Sequence, residues 1–216
     1  MALFAQSKKT SSLPFYFKSL EDSSGRLPTL SKSEVLTNEE VLTGAESICA
    51  LAAGYLPGSV ALRLMGNSDE IFLKTLYAEN YTATYGQDHF LQSSSEEDKT
   101  NILHQRYEQH KQHNQVNYPD AYPLMICRQG LPIGRLSLCE RLEQIELVEL
   151  SLLPTWQRRG LGTAMMHSIM QRTSALKLPI IVKVAPANLA YRFYFKWGFE
   201  VVSNTGLYLE MRRAFK

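Results

Sequence analysis

Apolar positions along the chain follow two spacings, and the places where one gives way to the other predict its elements. From Thr37 the run TNEEVLTGAESICALAAGYLPG puts Val41, Leu42, Ala45, Ile48, Cys49 and Ala52 on one helical face. It has an acidic first turn and stops at Gly54 and Pro57. SVALRLMG alternates as a strand does, and EIFLKTLYAE after Asn67 reads as a helix. A second helix fills SEEDKTNILHQRYEQHKQHNQ, ahead of Tyr118-Pro119. AYPLMIC and PIGRLSLC read as strands joined by the tight turn Arg128-Gln129-Gly130, and QIELVELSLL is a long strand stopped at Pro154. LGTAMMHSIMQRTSAL carries Leu161, Met165 and Ile169 four apart, the stripe of a core-facing helix. Strand IIVKVA, helix NLAYRFYFKW and a hairpin turning over Asn204-Thr205-Gly206 complete the chain. The order β-α-α-β-β-β-α-β-α-β-β predicts a mixed α/β sheet.

Residues 1 to about 35 are rich in Ser, Lys and Thr and hold no sustained period. They read as an extended arm that Phe15, Tyr16 and Phe17 could pin to a surface. Arm and first helix together give an N-terminal extension, 1–58, ahead of a main domain, 59–216.

Composition narrows the function. With 216 residues, 44% of them hydrophobic, the chain can bury one sizeable core. A net charge of +2 argues against nucleic acid or an anionic membrane as the main partner. No run of about 18 apolar residues spans a membrane, and the first residues lack the apolar run of a secretory leader. Cys49, Cys127 and Cys139 fit neither a zinc spacing nor a disulfide framework, so a reducing cytoplasm is the expected compartment. Cys127 and Cys139, on apolar strands, are expected to be small buried hydrophobes. His110 and His113 share a helical face, as a metal pair would, and His104 sits on the same helix. No acid or cysteine repeats in register, so the segment reads as a solvated or substrate-facing helix and no metal is expected.

The sharpest chemical feature runs from Leu152 to Thr163, LLPTWQRRGLGT, where a strand ends and a helix opens. Unpaired N–H groups at a helix start, favoured by the helix dipole, suit a phosphate. Gly160 and Gly162 let the backbone approach a pyrophosphate, and Arg158 and Arg159 can add charge-assisted contacts. The Gly-Lys-Ser/Thr ending of nucleotide hydrolases is absent, as are the third glycine and downstream acid of a dinucleotide fingerprint.

Gln157 to Gly162 resembles the acetyl-CoA signature of the GNAT superfamily, Gln/Arg-x-x-Gly-x-Gly/Ala. The later run Asn188-Leu189-Ala190-Tyr191 to Tyr194, ending in Trp197-Gly198-Phe199, is similar to that family's Asn-x-Ala…Tyr…Gly-Phe helix. The likeness covers roughly Ser59 to Arg213, including the strand residues Gly130 to Leu136, and is strongest to small bacterial members of unassigned substrate. It implies the acyl-CoA N-acyltransferase fold: a mixed, mostly antiparallel sheet flanked by helices, here with an N-terminal extension. It also implies acetyl-CoA as co-substrate, lying in a V-shaped opening between the fourth and fifth strands. Backbone around Leu150 to Leu152 would pair with the pantetheine arm. The amides of Arg158, Arg159, Gly160, Leu161, Gly162 and Thr163, behind Gln157, would take the pyrophosphate, and Asn188 would touch the cofactor.

Acetyl transfer to an amine needs a base for the ammonium proton, a stabilised oxyanion and an acid for the leaving thiolate. Backbone N–H near Leu152 can serve the oxyanion. Tyr194 occupies the family's acid position. Glu149 and then Glu146 are the candidate bases; three apart on one strand, they should face opposite sides unless a bulge intervenes. Some family members carry a carboxylate where this chain has Lys183. The acceptor, a small-molecule or peptide amine, is not legible, and a homodimer is left open. A catalytically silent CoA-binding sensor or interaction protein is the alternative.

Overall fold

The computed structural model describes residues 38–86 and 93–215, so the arm at 1 to about 35 lies outside them. Among the described residues five α-helices run in chain order: α1 (Asn38–Ala53), α2 (Glu70–Tyr85), α3 (Glu96–Asn117), α4 (Leu161–Leu176) and α5 (Ala190–Lys196). Seven strands accompany them: β1 (Val60–Leu64), β2 (Tyr122–Arg128), β3 (Leu131–Glu140), β4 (Ile145–Leu152), β5 (Ile180–Val184), β6 (Glu200–Asn204) and β7 (Leu209–Arg213). They form one sheet in the order β1-β2-β3-β4-β5-β7-β6. Every pairing is antiparallel except that of β4 with β5. The mixed, mostly antiparallel sheet expected from the sequence is therefore present. Among the described residues no helix is long and apolar enough to cross a membrane.

Strand alternation assigns side chains to two faces. Tyr122, Leu124 and Ile126 of β2 stand opposite Leu138, Leu136 and Gly134 of β3, and Leu136 and Leu138 in turn oppose Leu150 and Leu147 of β4. This face meets Ala45, Ile48 and Ala52 of α1 and Leu161, Met165 and Ile169 of α4 in the main core. The helix that the sequence places in the N-terminal extension thus shares the core of the sheet. Tyr122 lies so close to Gly44 that a Cβ there would sit 3.0 Å from its ring. The opposite face of β2 carries Met125 and Cys127, which join Leu73 of α2 and Tyr107 of α3 in a smaller cluster. Both strand cysteines are buried, as expected, and Cys139 Sγ donates to Asp120 Oδ1 at 3.3 Å.

Turn chemistry follows the sequence closely. Gln129 and Gly130, at φ 49° and 82°, make the tight β2–β3 connection. Ser95 caps α3, its hydroxyl accepting from Asp98 N at 3.1 Å. Gly134 is needed for close approach: a Cβ there would meet the Ser151 carbonyl oxygen at 2.4 Å. That closeness holds β3 tight against the end of β4.

Candidate active site

The site forms where the sheet opens. β4 and β5 pair only through Ile145–Leu147 against Ile180–Val182, although β4 continues to Leu152. A bulge contributes to the divergence. On β3, Ser137 pairs with Glu149 and Leu138 with Leu147, leaving Val148 as an extra residue, and such an insertion bends and twists its strand. The opening leads into a cleft of about 660 Å³, walled by β4, β5, α2, α3 and the segment before α5.

The bulge also corrects an expectation. Plain alternation would send Glu146 and Glu149 to opposite faces, but the inserted Val148 returns both to the face under α2 and α3. They remain separate in role. Glu146 lies outside the cleft lining, accepting from Gln144 Nε2 at 3.2 Å with Arg141 Nε at 3.4 Å. Glu149 lines the cleft, 3.0 Å from Arg135 Nη1, and accepts from Ser151 Oγ at 2.9 Å. Burial pushes the Glu149 carboxyl up, but Arg135, His110 and Ser151 together outweigh it and hold it below the usual carboxylate range.

His110 of α3 lines the same cleft, its ring 5.5 Å from that of Tyr77. Burial holds this imidazole below its ordinary range, against an upward pull from Glu149 and with Arg135 adding to the depression. It is therefore neutral at pH 7 and able to accept a proton. From sequence, His110 is expected on a solvated or substrate-facing helix, and nothing singles out Arg106, one turn earlier and also in the cleft. No periodicity marks them, because α3 has a single buried residue, Tyr107. Lys183 faces the cleft from β5, with Glu210 Oε2 4.0 Å away. Among the described residues no group of three or more His, Cys, Asp or Glu could hold a metal.

Tyr194 of α5 reaches the cleft from the core side. Its ring is 6% exposed and packs against Phe193 and Phe199, with centroids 5.6 Å and 5.5 Å away. Burial alone pushes its pKa up, so the phenol keeps its proton at neutral pH. Asn188 also lines the cleft, its Oδ1 accepting from Ala190 N at 2.9 Å and so fixing the first turn of α5.

The loop before α4 stands beside the cleft. Arg158 at φ 60° and Gly160 at φ 81° take left-handed conformations, turning the short helix Pro154–Trp156 into α4. The first helical bond is Ala164 N to Gly160 O at 3.0 Å, and no described backbone carbonyl accepts from the amides of Arg158 to Thr163. Gln157 to Gly160 are exposed, and a Cβ on Gly162 would only touch Phe193 at 3.6 Å. Leu161 itself is buried in the core beneath the turn.

The Gln157 side chain is engaged structurally. Its Nε2 donates to Asn80 Oδ1 at 2.8 Å and to the Leu152 carbonyl at 3.0 Å, which also accepts from Asn80 Nδ2 at 3.1 Å. These bonds tie the loop to α2 and to the end of β4. Leu150 remains on the cleft wall, whereas Leu152 is buried behind it. Arg159 lies 4.8 Å above the Trp156 ring, which Arg128 also contacts at 4.7 Å. Of the residues read from sequence, Glu149, Leu150, Asn188 and Tyr194 meet in the cleft; Gln157 to Thr163 lie outside its lining, with Gln157 bonded to Asn80 on its wall, and Glu146 lies apart.

Comparison with known proteins bears on the family and the fold. The model of the Acetyltransferase (GNAT) family matches residues 87–199. No curated protein sequence matches the chain. Among solved structures, the chain is similar to PaiA N-acetyltransferase from Thermoplasma acidophilum in complex with coenzyme A. Identity is 20%, the TM-score is 0.57, and the match covers 73% of this chain and 99% of that one. An acetyltransferase of the GNAT family from Staphylococcus aureus Mu50 is similar at 11% identity and a TM-score of 0.50, with the same coverage of 73% and 99%. These likenesses bear on the fold.

Proposed function

The chain belongs to the GNAT acetyltransferase family, and on that premise we propose that it passes an acetyl group from acetyl-CoA to a primary amine by direct attack within the cleft between β4 and β5. The observation that carries this reading is that Glu149, His110 and Tyr194 line one opening, with Gln157 of the loop before α4 bonded to Asn80 on its wall. We take 59–216 as the catalytic unit, with α1 of the 1–58 extension bracing the back of the sheet. A reducing compartment such as the cytoplasm suits the three free thiols.

The residues fit the co-substrate. Amides 158 to 163 lack backbone acceptors, a pattern that suits a pyrophosphate at a helix start, and Arg158 can add a charged contact. Leu150 and Asn188 would flank the pantetheine arm. When bound, acetyl-CoA supplies an activated acyl group and a thiol leaving group. The protein supplies positions and protons. Glu149 is ionised and His110 neutral, so either can take the proton that an ammonium must lose before attack. Tyr194 holds a proton in an apolar wall, ready for the departing sulfur.

Calorimetry with acetyl-CoA and thiol release against a panel of amines test this reading together. Binding and amine-dependent release are expected from the whole chain. A folded Gly162→Val variant should lose most of its acetyl-CoA affinity, since a branched side chain would press on Phe193 and push the first turn of α4, with its amides, out of place. Binding without release for every amine would favour a silent CoA sensor, and equal affinity in Gly162→Val would remove the loop from the site.

A further inference from the structure

Resting on that reading of the cleft, we infer that the acceptor amine also carries an anionic group, a carboxylate or phosphate, held by Arg106 about one helical turn from the nitrogen that is acetylated. Charges around the cleft are unequal. Among the described residues its single carboxylate, Glu149, is already matched by Arg135 at 3.0 Å. Its cations among the described residues are Arg106 and Lys183, and Lys183 already has Glu210 at 4.0 Å and the Tyr208 ring at 5.8 Å. Arg106 has no carboxylate partner among the described residues; its guanidinium carbon lies over the Tyr81 ring, 4.7 Å from the centroid. Burial lowers the Arg106 pKa, a sign that water is partly stripped from a group that stays charged. A desolvated cation without a counterion is unfavourable, and an incoming anion relieves it.

Geometry sets the rest of the ligand. The planar fork of Arg106 suits two oxygens of a carboxylate or phosphate. Arg106 and His110 are four residues apart, hence on one face of α3 and roughly 6 Å apart along its axis. The His110 and Glu149 end is where a proton can be taken, so the nucleophilic nitrogen belongs there and the anion one turn away. A polycationic acceptor meets the wrong environment. Arg106 already covers the Tyr81 face, and both Arg106 and Lys183 repel a second cation from the cleft.

The test uses the whole chain saturated with acetyl-CoA and matched amines: γ-aminobutyrate against butylamine, phosphoethanolamine against ethanolamine, and spermidine. At least one anionic member should exceed its neutral partner in kcat/KM by about 10–100-fold, the value of a charge-assisted contact. Which pair shows the larger ratio separates carboxylate from phosphate. That ratio should collapse towards one in Arg106→Gln and be partly kept in Arg106→Lys, with acetyl-CoA affinity unchanged. Neutral amines or spermidine equalling the anionic ones would overturn the inference while leaving acetyl transfer intact. So would an Arg106→Gln variant that loses acetyl-CoA binding, or one that slows every amine alike. Arg106-dependent calorimetric binding of γ-aminobutyrate or phosphoethanolamine without thiol release would uphold the anion site and defeat the transfer reading. Neither binding nor turnover of any anionic member would defeat the inference.

Discussion

Beneath α1 and α4 the strands present Leu124, Ile126, Leu136, Leu138 and Leu147 in an apolar layer, and its one buried carboxylate is fully engaged. Glu140 accepts from Tyr122 Oη at 2.7 Å and from Arg172 Nε and Nη2 at 2.8 Å each. Beneath α2 and α3 the same strands present Arg135, Ser137, Glu146 and Glu149. The buried polar atoms that lack a hydrogen bond among the described residues belong to Asp120, Arg135, Arg141 and Glu149, all on this second side. These groups are ion-paired with one another or with Glu146, but hydrogen-bonding capacity is left over. Such buried polar capacity opposes stability, yet it suits a site that must attract ligand groups and shift protons. One sheet thus carries an apolar layer on one face and an ion-paired polar layer on the other, and Tyr194 reaches the cleft from the apolar side.

The comparison breaks most sharply by deleting one carboxylate from each face. Glu140→Ala strands Arg172 in a dry layer and should lower the unfolding free energy by about 3–5 kcal/mol, read by urea denaturation. Glu149→Gln keeps an acceptor beside Arg135 in an open cleft and should cost about 1–3 kcal/mol. Only the second should shift the pH–rate profile, with partial rescue of rate at higher pH as free amine accumulates. Equal stability losses and equal profiles would erase the distinction between faces. Leu138→Ala should cost about 2–5 kcal/mol by opening a cavity in the apolar layer, without altering the acetyl-CoA affinity of the folded fraction.

A smaller effect comes from pH. His113 is held at about 4, chiefly by burial and then by His110 and Lys183, and His110 is lowered as well. An unfolded histidine takes up its proton near pH 6.5. Between about pH 6.5 and 4 the unfolded chain therefore binds more protons, and stability should fall as pH drops through that window. His113→Gln should flatten the fall, measured as Tm against pH; an unchanged slope would contradict the assignment. The lowered Glu149 carboxyl acts further down, its contribution present above about pH 4.3 and lost as pH falls through its folded value. Smallest of all is Gly162→Ala. Its Cβ meets only Phe193, so Tm should move within the change expected of a Gly→Ala helix substitution, about 1 kcal/mol or less.

The apolar face was the more legible in sequence. The stripe Leu161, Met165, Ile169 and the glycines before it gave α4 its bounds, because burial and capping leave periodic marks. The chemical face leaves weaker marks. Nothing in ELVEL signals that Val148 bulges, since the inserted residue is defined only against its partner strand. Arg106 and His110 lie on a helix that is polar throughout, so their turn towards the cleft depends on how α3 packs against α2. Gln157 was readable as part of a phosphate loop, but its bonds to Asn80 and Leu152 depend on residues distant in the chain.

The most direct test of acetyl transfer at this opening is the maximal rate of Tyr194→Phe, measured by thiol release with whichever amine the parent chain acetylates fastest. The ring would still pack against Phe193 and Phe199, so acetyl-CoA affinity and Tm should hold. With chemistry limiting, loss of the phenolic proton should slow turnover by about 10²–10⁴-fold. A rate equal to that of the parent under those conditions would contradict the account.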